Sequence, residues 1–339
     1  SMNIDWDSLT FSYKDTNCNI RFNWKDGNWD NGELCREPYI RLHMAATVLH
    51  YGQAAFEGLK VFSGKDGKFR LFRGDENAKR LANSAKRLVM PVFPEEKFLD
   101  AVHKVVAANI EYIPPYGTGG ALYVRPVLYG TSPKIGVQPA EEYTLIIMVM
   151  PVGPYYKGGI TPVEALIVDG FDRAAPMGVG NVKVAGNYAA ALEPGRLAKQ
   201  QGYPINLFLD AKEHKYIDEF GTSNFIGITK DGSYVTPVSS SILPSITNKS
   251  LMYLAEQDGR KVERRPIALD DLTNYAEIGA TGTAVVITPI CKVVYGDRVF
   301  EVGPKDHCPP VFQGLYNKVQ AIQYGESEAP EGWISFIET

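Results

Sequence analysis

The sequence predicts a mixed α/β protein with two lobes, and three observations support this fold class. The chain has 339 residues, 45% hydrophobic and 22% charged, which is typical of a globular protein with a large core. Strand-like and helix-like runs alternate in both halves. Glycine and proline are concentrated in residues 152–162, which we interpret as a linker. We therefore expect a small N-terminal domain over residues 1–151 and a larger C-terminal domain over residues 163–339, with a ligand-binding cleft between them.

Hydrophobic spacing predicts the individual elements. Leu81, Ala85 and Leu88 would share one face of a helix over residues 77–90. In the N-terminal half, the other predicted elements are a helix over 95–112 and strands over 69–72, 121–128 and 143–150. In the C-terminal half, they are strands over 165–168, 205–209 and 284–287 and helices over 188–200, 247–257 and 311–324.

Composition and charge exclude several classes of protein. The net charge is −4, which argues against general nucleic-acid binding because that needs a basic surface. We expect no membrane span, since no run of 18 apolar residues occurs. The N-terminus shows no signal-peptide pattern, and Ser1-Met2 is interpreted as a tag remnant. No CxxC pair or histidine cluster occurs, so we expect no metal site and a cytoplasmic protein with reduced thiols at Cys18, Cys35, Cys291 and Cys308.

A lysine among small residues is the most informative local feature. Lys183 is flanked by Gly178, Gly180 and Gly186, which would let a planar ring approach the backbone. Lysine forms Schiff bases with pyridoxal phosphate (PLP), and an acid such as Glu219 can pair with the nitrogen of that ring. The alternative interpretation is a surface lysine in a turn, which is the more common role of the residue type.

A phosphate group would need N–H donors and a cation. Residues 239–247 precede a predicted helix, whose first N–H groups favour an anion. The alternative is simple N-capping by Ser245 or Thr247. Arg80 shares a helix face with Arg87, and one of them can reach an anion such as a phosphate. The alternative is that both belong to a solvated basic stripe.

Aromatic side chains lie beside a cation in the N-terminal half. Tyr123 and Arg125 share one face of a predicted strand, because side chains alternate along a strand. They can hold a substrate carboxylate next to an apolar wall. The alternative is a half-exposed strand with its polar face in water.

Taken in order, these motifs resemble the branched-chain amino acid aminotransferases, which are PLP enzymes of fold type IV. The resemblance extends from His50 to Trp333, nearly the whole chain. The matching motifs are HYGQAAFEG at 50–58, NAKRL at 77–81, YVRP at 123–126, GNVK at 180–183, EFGTSN at 219–224, ILP at 242–244 and GTA at 282–284.

The resemblance implies a role for each matching residue. Lys183 matches the lysine that binds PLP covalently and moves the substrate proton, Glu219 the acid at the pyridine nitrogen, and Tyr188 the partner of the phenolic oxygen. The phosphate would be bound by Arg80, the N–H groups of Ile246 and Thr247, and the hydroxyl of Thr283. The matching substrate residues are Thr283 and Ala284 for the α-carboxylate and Tyr51, Phe56, Tyr123, Arg125 and the linker residue Tyr155 for the side chain.

The implied reaction moves an amino group between L-leucine, L-isoleucine or L-valine and 2-oxoglutarate, giving glutamate and 2-oxo acids. A homodimer is also implied. Mammalian members carry a redox CxxC after the Gly-Thr-Ala turn, whereas this chain has no cysteine in residues 284–288, so we expect no thiol control of that kind.

Alternative functions with the same fold are a D-amino acid aminotransferase and an aminodeoxychorismate lyase. In those families the acid is followed directly by glycine, whereas here Phe220 stands between Glu219 and Gly221. A non-catalytic PLP-binding protein is a further alternative. The sequence ranks neither the three branched-chain substrates nor the direction of the reaction.

Overall fold

The computed structural model describes residues 3–339, so the interpretation of Ser1-Met2 lies outside the described residues. The chain divides into two compact units. The first unit comprises the chain up to Tyr155 with Val182–Ala185 and Ala321–Thr339, and the second comprises Tyr156–Asn181 and Gly186–Gln320. The predicted N-terminal domain ended at residue 151, whereas the first unit also contains residues 182–185 and 321–339.

The first unit contains a mixed set of strands and helices. Its strands are β1 (Asn19–Lys25), β2 (Asn28–Trp29), β3 (Glu33–Cys35), β4 (Ala54–Phe56), β5 (Leu59–Ser63), β6 (Phe69–Phe72), β7 (Ala121–Gly130), β8 (Tyr143–Val152) and β18 (Ile334–Phe336), and its helices are α1 (Thr47–Tyr51), α2 (Gly74–Arg87) and α3 (Glu95–Ala107).

The strands of the first unit form an antiparallel sheet in the order β18-β6-β5-β7-β8-β1-β2. β8 is predicted from an apolar run, and residues 143–147 at its start are all buried. Helix α3 packs on β8 and on α2 with its buried face. The C-terminal strand β18 pairs with β6, which explains why the end of the chain belongs to the first unit.

Helix α3 ends earlier than the apolar spacing predicts. Residues 95–112 were expected to form one helix, but α3 stops at Ala107 and a short 3₁₀ turn, Ile110–Tyr112, follows. The reason is the buried Asn109, whose Nδ2 donates at 2.7 Å to the Val105 carbonyl, the acceptor that its own N–H would use in a continuing α-helix. The Asn109 N–H donates instead to the Val106 carbonyl at 2.9 Å, so the helix tightens into a turn.

The second unit also mixes strands and helices. Its strands are β9 (Val163–Leu166), β10 (Ile205–Leu209), β11 (Ile217–Phe220), β12 (Asn224–Thr229), β13 (Tyr234–Thr236), β14 (Val262–Arg264), β15 (Tyr275–Gly282), β16 (Val286–Tyr295) and β17 (Arg298–Glu301), and most residues of its helices α4 (Ala185–Ala190), α5 (Leu192–Gln200), α6 (Ile246–Gln257) and α7 (Pro310–Gln323) belong to it. Ala185 of α4 and residues 321–323 of α7 belong to the first unit.

The sheet of the second unit is mixed, in the order β11-β10-β9-β16-β15-β12-β13-β14. Phe220 of β11 and Phe225 of β12 are fully buried and stack with ring centroids 5.9 Å apart. Glu277 of β15 accepts from the N–H groups of Val311 at 3.0 Å and Phe312 at 2.8 Å, so a carboxyl side chain caps the start of α7. Burial raises the pKa of the Glu277 carboxyl, and these two N–H donors oppose the rise.

Other predicted elements also differ from expectation: the helix over 77–90 and the strand over 165–168 are observed at Gly74–Arg87 and Val163–Leu166. The helix expected over residues 188–200 is interrupted after Ala190, because the ring of Pro194 would clash with the Ala190 carbonyl if the helix were continuous. The strand expected over 284–287 begins at Val286, since residues 283–285 form a turn. No helix within residues 3–339 combines the length and apolar character that crossing a bilayer requires.

Candidate active site

The backbone of Lys183 is held in the first unit by hydrogen bonds to two elements. Its N–H donates to Ser84 Oγ on α2 at 2.9 Å, and its carbonyl accepts from the N–H of Phe56 at 3.2 Å. The adjoining Val184 forms a β-bridge with Ala55 of β4. Lys183 is therefore a half-buried residue fixed against a sheet, and the interpretation as a surface lysine in a turn is wrong.

An aromatic and cationic cluster lies beside the Lys183 amine. Lys183 Nζ lies 5.1 Å from the ring centroid of Phe56, and Arg125 Cζ lies 4.7 Å from the same centroid. Arg125 Nη2 donates to the hydroxyl of Tyr123 at 2.7 Å. Burial raises the pKa of the Tyr123 hydroxyl, and Arg125 opposes the rise. Gly58 is required here, because a Cβ at this position would collide with that hydroxyl. The structure thus brings together Lys183, Phe56, Tyr123 and Arg125.

Arg80 forms an ion pair that the sequence did not indicate. Its Nε and Nη2 donate to Glu57 at 2.9 and 2.8 Å, and Glu57 is completely buried. Asn77 Nδ2 donates to the same carboxylate at 2.9 Å. This bidentate contact fixes the direction of the guanidinium, and the proposed role of Arg80 in phosphate binding stays a prediction.

Glu219 lies on β11 in the second unit and is 3% exposed. Its Oε1 forms an ion pair with Arg173, whose Nε lies 3.1 Å away, and its Oε2 accepts from the Leu243 N–H at 3.0 Å and from Asn224 Nδ2 at 3.4 Å. All of these partners are donors, an arrangement that favours an ionised carboxylate. Arg173 is the site residue that sequence reasoning missed, and the available signal was a cation within the glycine-rich region before Lys183.

The start of α6 has the geometry expected for an anion-binding helix terminus. Ser245 is the N-cap, and its hydroxyl accepts from the Asn248 N–H at 3.0 Å. Ile246 and Thr247 are the first residues of the helix, where N–H groups lack partners within the helix. The predicted capping by Ser245 is confirmed, and it is compatible with an anion at the neighbouring N–H groups.

Thr283 and Ala284 lie in the turn between β15 and β16. Val286, directly after this turn, has φ of 62°, which is strained for a β-branched residue. The Thr281 hydroxyl donates to the Val286 carbonyl at 2.6 Å and helps to hold this conformation. Strained backbone of this kind is found at ligand-binding sites more often than elsewhere.

The remaining predicted residues differ in exposure. Tyr188 is half-buried on α4, in the second unit. Tyr51 is 41% exposed at the end of α1, and its hydroxyl donates to the Ile135 carbonyl. Tyr155 is 60% exposed, whereas the adjacent Tyr156 donates to the Ile287 carbonyl at 3.0 Å. Within residues 3–339, no cluster of three or more His, Cys, Asp or Glu side chains is arranged to hold a metal ion.

Comparison with known proteins supports the expectation from the motifs. The model of the class IV amino-transferase family matches residues 54–293. Branched-chain-amino-acid aminotransferases from Haemophilus influenzae and Helicobacter pylori are 45% and 46% identical to this chain. The first alignment covers 99% of both chains, and the second covers 98% of this chain and 97% of its relative.

Two solved structures agree. The Escherichia coli branched-chain amino acid aminotransferase superposes with a TM-score of 0.81 at 26% identity, covering 95% of this chain and all of that one. The T.th. branched-chain amino acid aminotransferase with pyridoxamine 5'-phosphate superposes with a TM-score of 0.78 at 25% identity, covering 94% of this chain and 98% of that one. The family model and the full-length relatives confirm the expected fold type, and this chain belongs to the class IV aminotransferases.

Proposed function

We propose that this protein transfers the amino group between L-leucine, L-isoleucine or L-valine and 2-oxoglutarate, in two half-reactions that use PLP. The observation that carries the proposal is the cluster of Lys183, Phe56 and Arg125 in a chain that aligns over its full length with branched-chain enzymes. An apolar ring suits a branched side chain, and a guanidinium within the same cluster suits the second carboxylate of glutamate.

The described residues fit PLP. Membership of the class IV aminotransferases implies this cofactor. The T.th. branched-chain amino acid aminotransferase, which has a similar fold, was solved with pyridoxamine 5'-phosphate. The ring nitrogen of PLP requires an acidic partner, which the buried carboxylate of Glu219 can supply. Its phosphate requires N–H donors, which the start of α6 can supply, and its aldehyde requires an amine, which Lys183 can supply. The residues that would hold it are Lys183, Tyr188, Glu219, Arg80, Ile246, Thr247 and Thr283.

PLP, when bound, supplies an electron sink for the substrate α-carbon. In this proposal the Lys183 amine acts as the base that takes the proton from the substrate α-carbon and delivers it to the cofactor. Glu219 keeps a proton at the ring nitrogen by presenting a negative charge. The N–H groups of the Thr283–Ala284 turn bind the α-carboxylate, while Phe56, Tyr123, Arg125, Tyr51 and Tyr155 contact the side chain.

The absorption spectrum of the purified protein tests this function first. Addition of L-isoleucine should convert the visible band of lysine-bound PLP to that of the aminated cofactor, whereas D-alanine should leave it unchanged. Conversion by D-alanine alone would favour a D-amino acid aminotransferase. A protein that binds PLP but converts with neither would refute the proposal in favour of the lyase or the non-catalytic alternative.

Lys183→Ala tests the role of the lysine. We expect turnover to fall below detection, because no other group in the proposed mechanism moves the α-proton, while the thermal unfolding midpoint stays close to that of wild type. Steady-state transamination and a melting curve measure both. Undiminished turnover in this variant would refute the proposed mechanism.

We also propose that the protein forms a homodimer, and the cytoplasmic location stays a prediction. Large apolar side chains of the first unit are exposed at Met44, Leu49, Ile135 and Val137, which is the pattern expected of a surface that a second copy covers. Light scattering on the eluting protein should give twice the chain mass. Val137→Asp should lower that mass, and a monomeric wild type would refute the proposal.

A further inference from the structure

Arg173 contacts the functional carboxylate and two backbone segments at the same time. Its side chain is 3% exposed, and Nε lies 3.1 Å from Glu219 Oε1. Nη1 donates to the carbonyl of Gly180 at 3.0 Å and to the carbonyl of Ser241 at 2.9 Å. All of these groups belong to the second unit.

Both carbonyls lie in segments that carry proposed site residues. Gly180 precedes Lys183 in the GNVK motif. Ser241 precedes Leu243, whose N–H donates to Glu219 Oε2 at 3.0 Å, and Ser245, which caps α6. A single guanidinium therefore connects the carboxylate with the chain that leads to the lysine and the chain that leads to the anion-binding helix start.

The convergence of the two carbonyls on Arg173 depends on glycine at position 180. A Cβ on Gly180 would collide with the Ser241 carbonyl and would lie 2.6 Å from Ala174 Cβ. The planar guanidinium can direct separate N–H groups at three acceptors, whereas the ammonium of lysine is a single point of charge on a flexible stem. The arrangement thus requires arginine, and it requires the close approach that glycine permits.

We propose that Arg173 is a positioning residue for transamination, which holds Glu219 ionised and aligned and ties the Gly180 segment and the segment before α6 to it. The inference rests on the proposed function, since it requires Glu219 to contact the ring nitrogen of PLP. With Arg173 beside it, the carboxylate is a weaker base, so a proton shared with the nitrogen resides on the nitrogen. Without Arg173, the carboxyl competes for that proton and the electron sink weakens.

The test compares Arg173→Met and Arg173→Lys with Glu219→Gln in holoenzyme loaded with ¹⁵N-labelled PLP. Arg196→Met is the matched control, because Arg196 forms an exposed ion pair with Glu193 on α5. The readouts are the ¹⁵N chemical shift of the ring nitrogen, kcat, and PLP affinity. We expect Arg173→Met to shift the nitrogen signal toward the unprotonated value and to lower kcat by roughly 100-fold.

The lysine variant keeps a cation in the folded protein and decides the question if the methionine variant does not fold. It should give a smaller shift of the nitrogen signal and a kcat roughly 10-fold below wild type, since the charge remains but the connection to both carbonyls is lost. Arg196→Met should match wild type in all three readouts.

The outcomes separate the inference from the function on which it rests. If Glu219→Gln changes the nitrogen signal while both Arg173 variants keep the wild-type signal and kcat, Arg173 is only structural and the inference is overturned. If Glu219→Gln leaves the signal unchanged, Glu219 does not contact the ring, and the proposed role of this carboxylate is refuted together with the inference.

Discussion

The Arg80–Glu57 and Arg173–Glu219 ion pairs are both largely buried, but they are built in opposite ways. Glu57 receives Nε and Nη2 of the same guanidinium, so the carboxylate is enclosed and the arginine is held in one direction. Glu219 receives Nε, and Arg173 directs Nη1 at backbone carbonyls. The comparison indicates that Glu57 supports its arginine, whereas Arg173 supports its carboxylate.

The largest effect on stability is expected from Glu57→Gln. The variant would remove the carboxylate charge from an ion pair in which Glu57 is completely buried and the Arg80 side chain is 12% exposed, and breaking a buried ion pair in this way typically costs about 3 kcal/mol in the free energy of unfolding. Glu219→Gln should cost less, because the Arg173 guanidinium keeps the carbonyls of Gly180 and Ser241 as acceptors when the carboxylate charge is removed. Denaturant unfolding measures both variants, and equal losses would show that the two pairs do not differ in the proposed way.

Arg125 sharpens the comparison, because its contacts are with neutral groups: the Tyr123 hydroxyl and the ring of Phe56. Arg125→Ala should therefore affect substrates more than stability. We expect kcat/KM for glutamate and 2-oxoglutarate to fall about 10- to 100-fold more than for leucine, which brings no second carboxylate. Steady-state kinetics with all three substrates is the measurement, and equal losses would assign Arg125 a structural role.

The smallest effect concerns Asp218, the neighbour of Glu219 on β11. Asp218 is 2% exposed and accepts from the hydroxyls of Ser239 and Ser241, each at 3.1 Å. Burial raises the pKa of Asp218, and the two serine hydroxyls oppose the rise. The folded protein thus binds this proton more tightly than the unfolded chain does, and stability is lost as the pH rises above the usual range of aspartate.

Asp218→Asn should therefore melt at the same temperature as wild type at low pH, where both side chains are neutral. The variant should become the more stable of the two as the pH approaches neutrality. Melting curves across this pH range test the expectation. A constant difference at every pH would show that ionisation of Asp218 does not influence stability.

The sequence predicted the elements whose apolar residues follow a regular spacing. The strand over residues 205–209 is confirmed at both ends, and the helix over 247–257 begins within one residue of its prediction. The predicted helix over 95–112 was too long, because the side chain of Asn109 takes the Val105 carbonyl that a longer helix would use. Spacing of apolar residues carries no information about such a contact.

The same limit applies to the site. Motifs indicated Lys183 and Glu219, because each lies in a short run with a recognisable pattern. Arg173 lies in a loop without periodicity, and its partners at 180, 219 and 241 come together only when the second unit folds. Glu57 lies inside the HYGQAAFEG motif, but its role depends on its ion pair with Arg80. The two residues are 23 positions apart, so no local pattern in the sequence indicates that they pair.

The pairing of β18 with β6 has a consequence for synthesis of the chain on the ribosome. β6 is made early, but its partner Ile334–Phe336 emerges only after the residues of the second unit have been made. Until then one edge of the first sheet is unpaired and can attract strands of other nascent chains. The unit that is translated first therefore completes last, and a ribosome stalled before β18 would release a chain prone to aggregation.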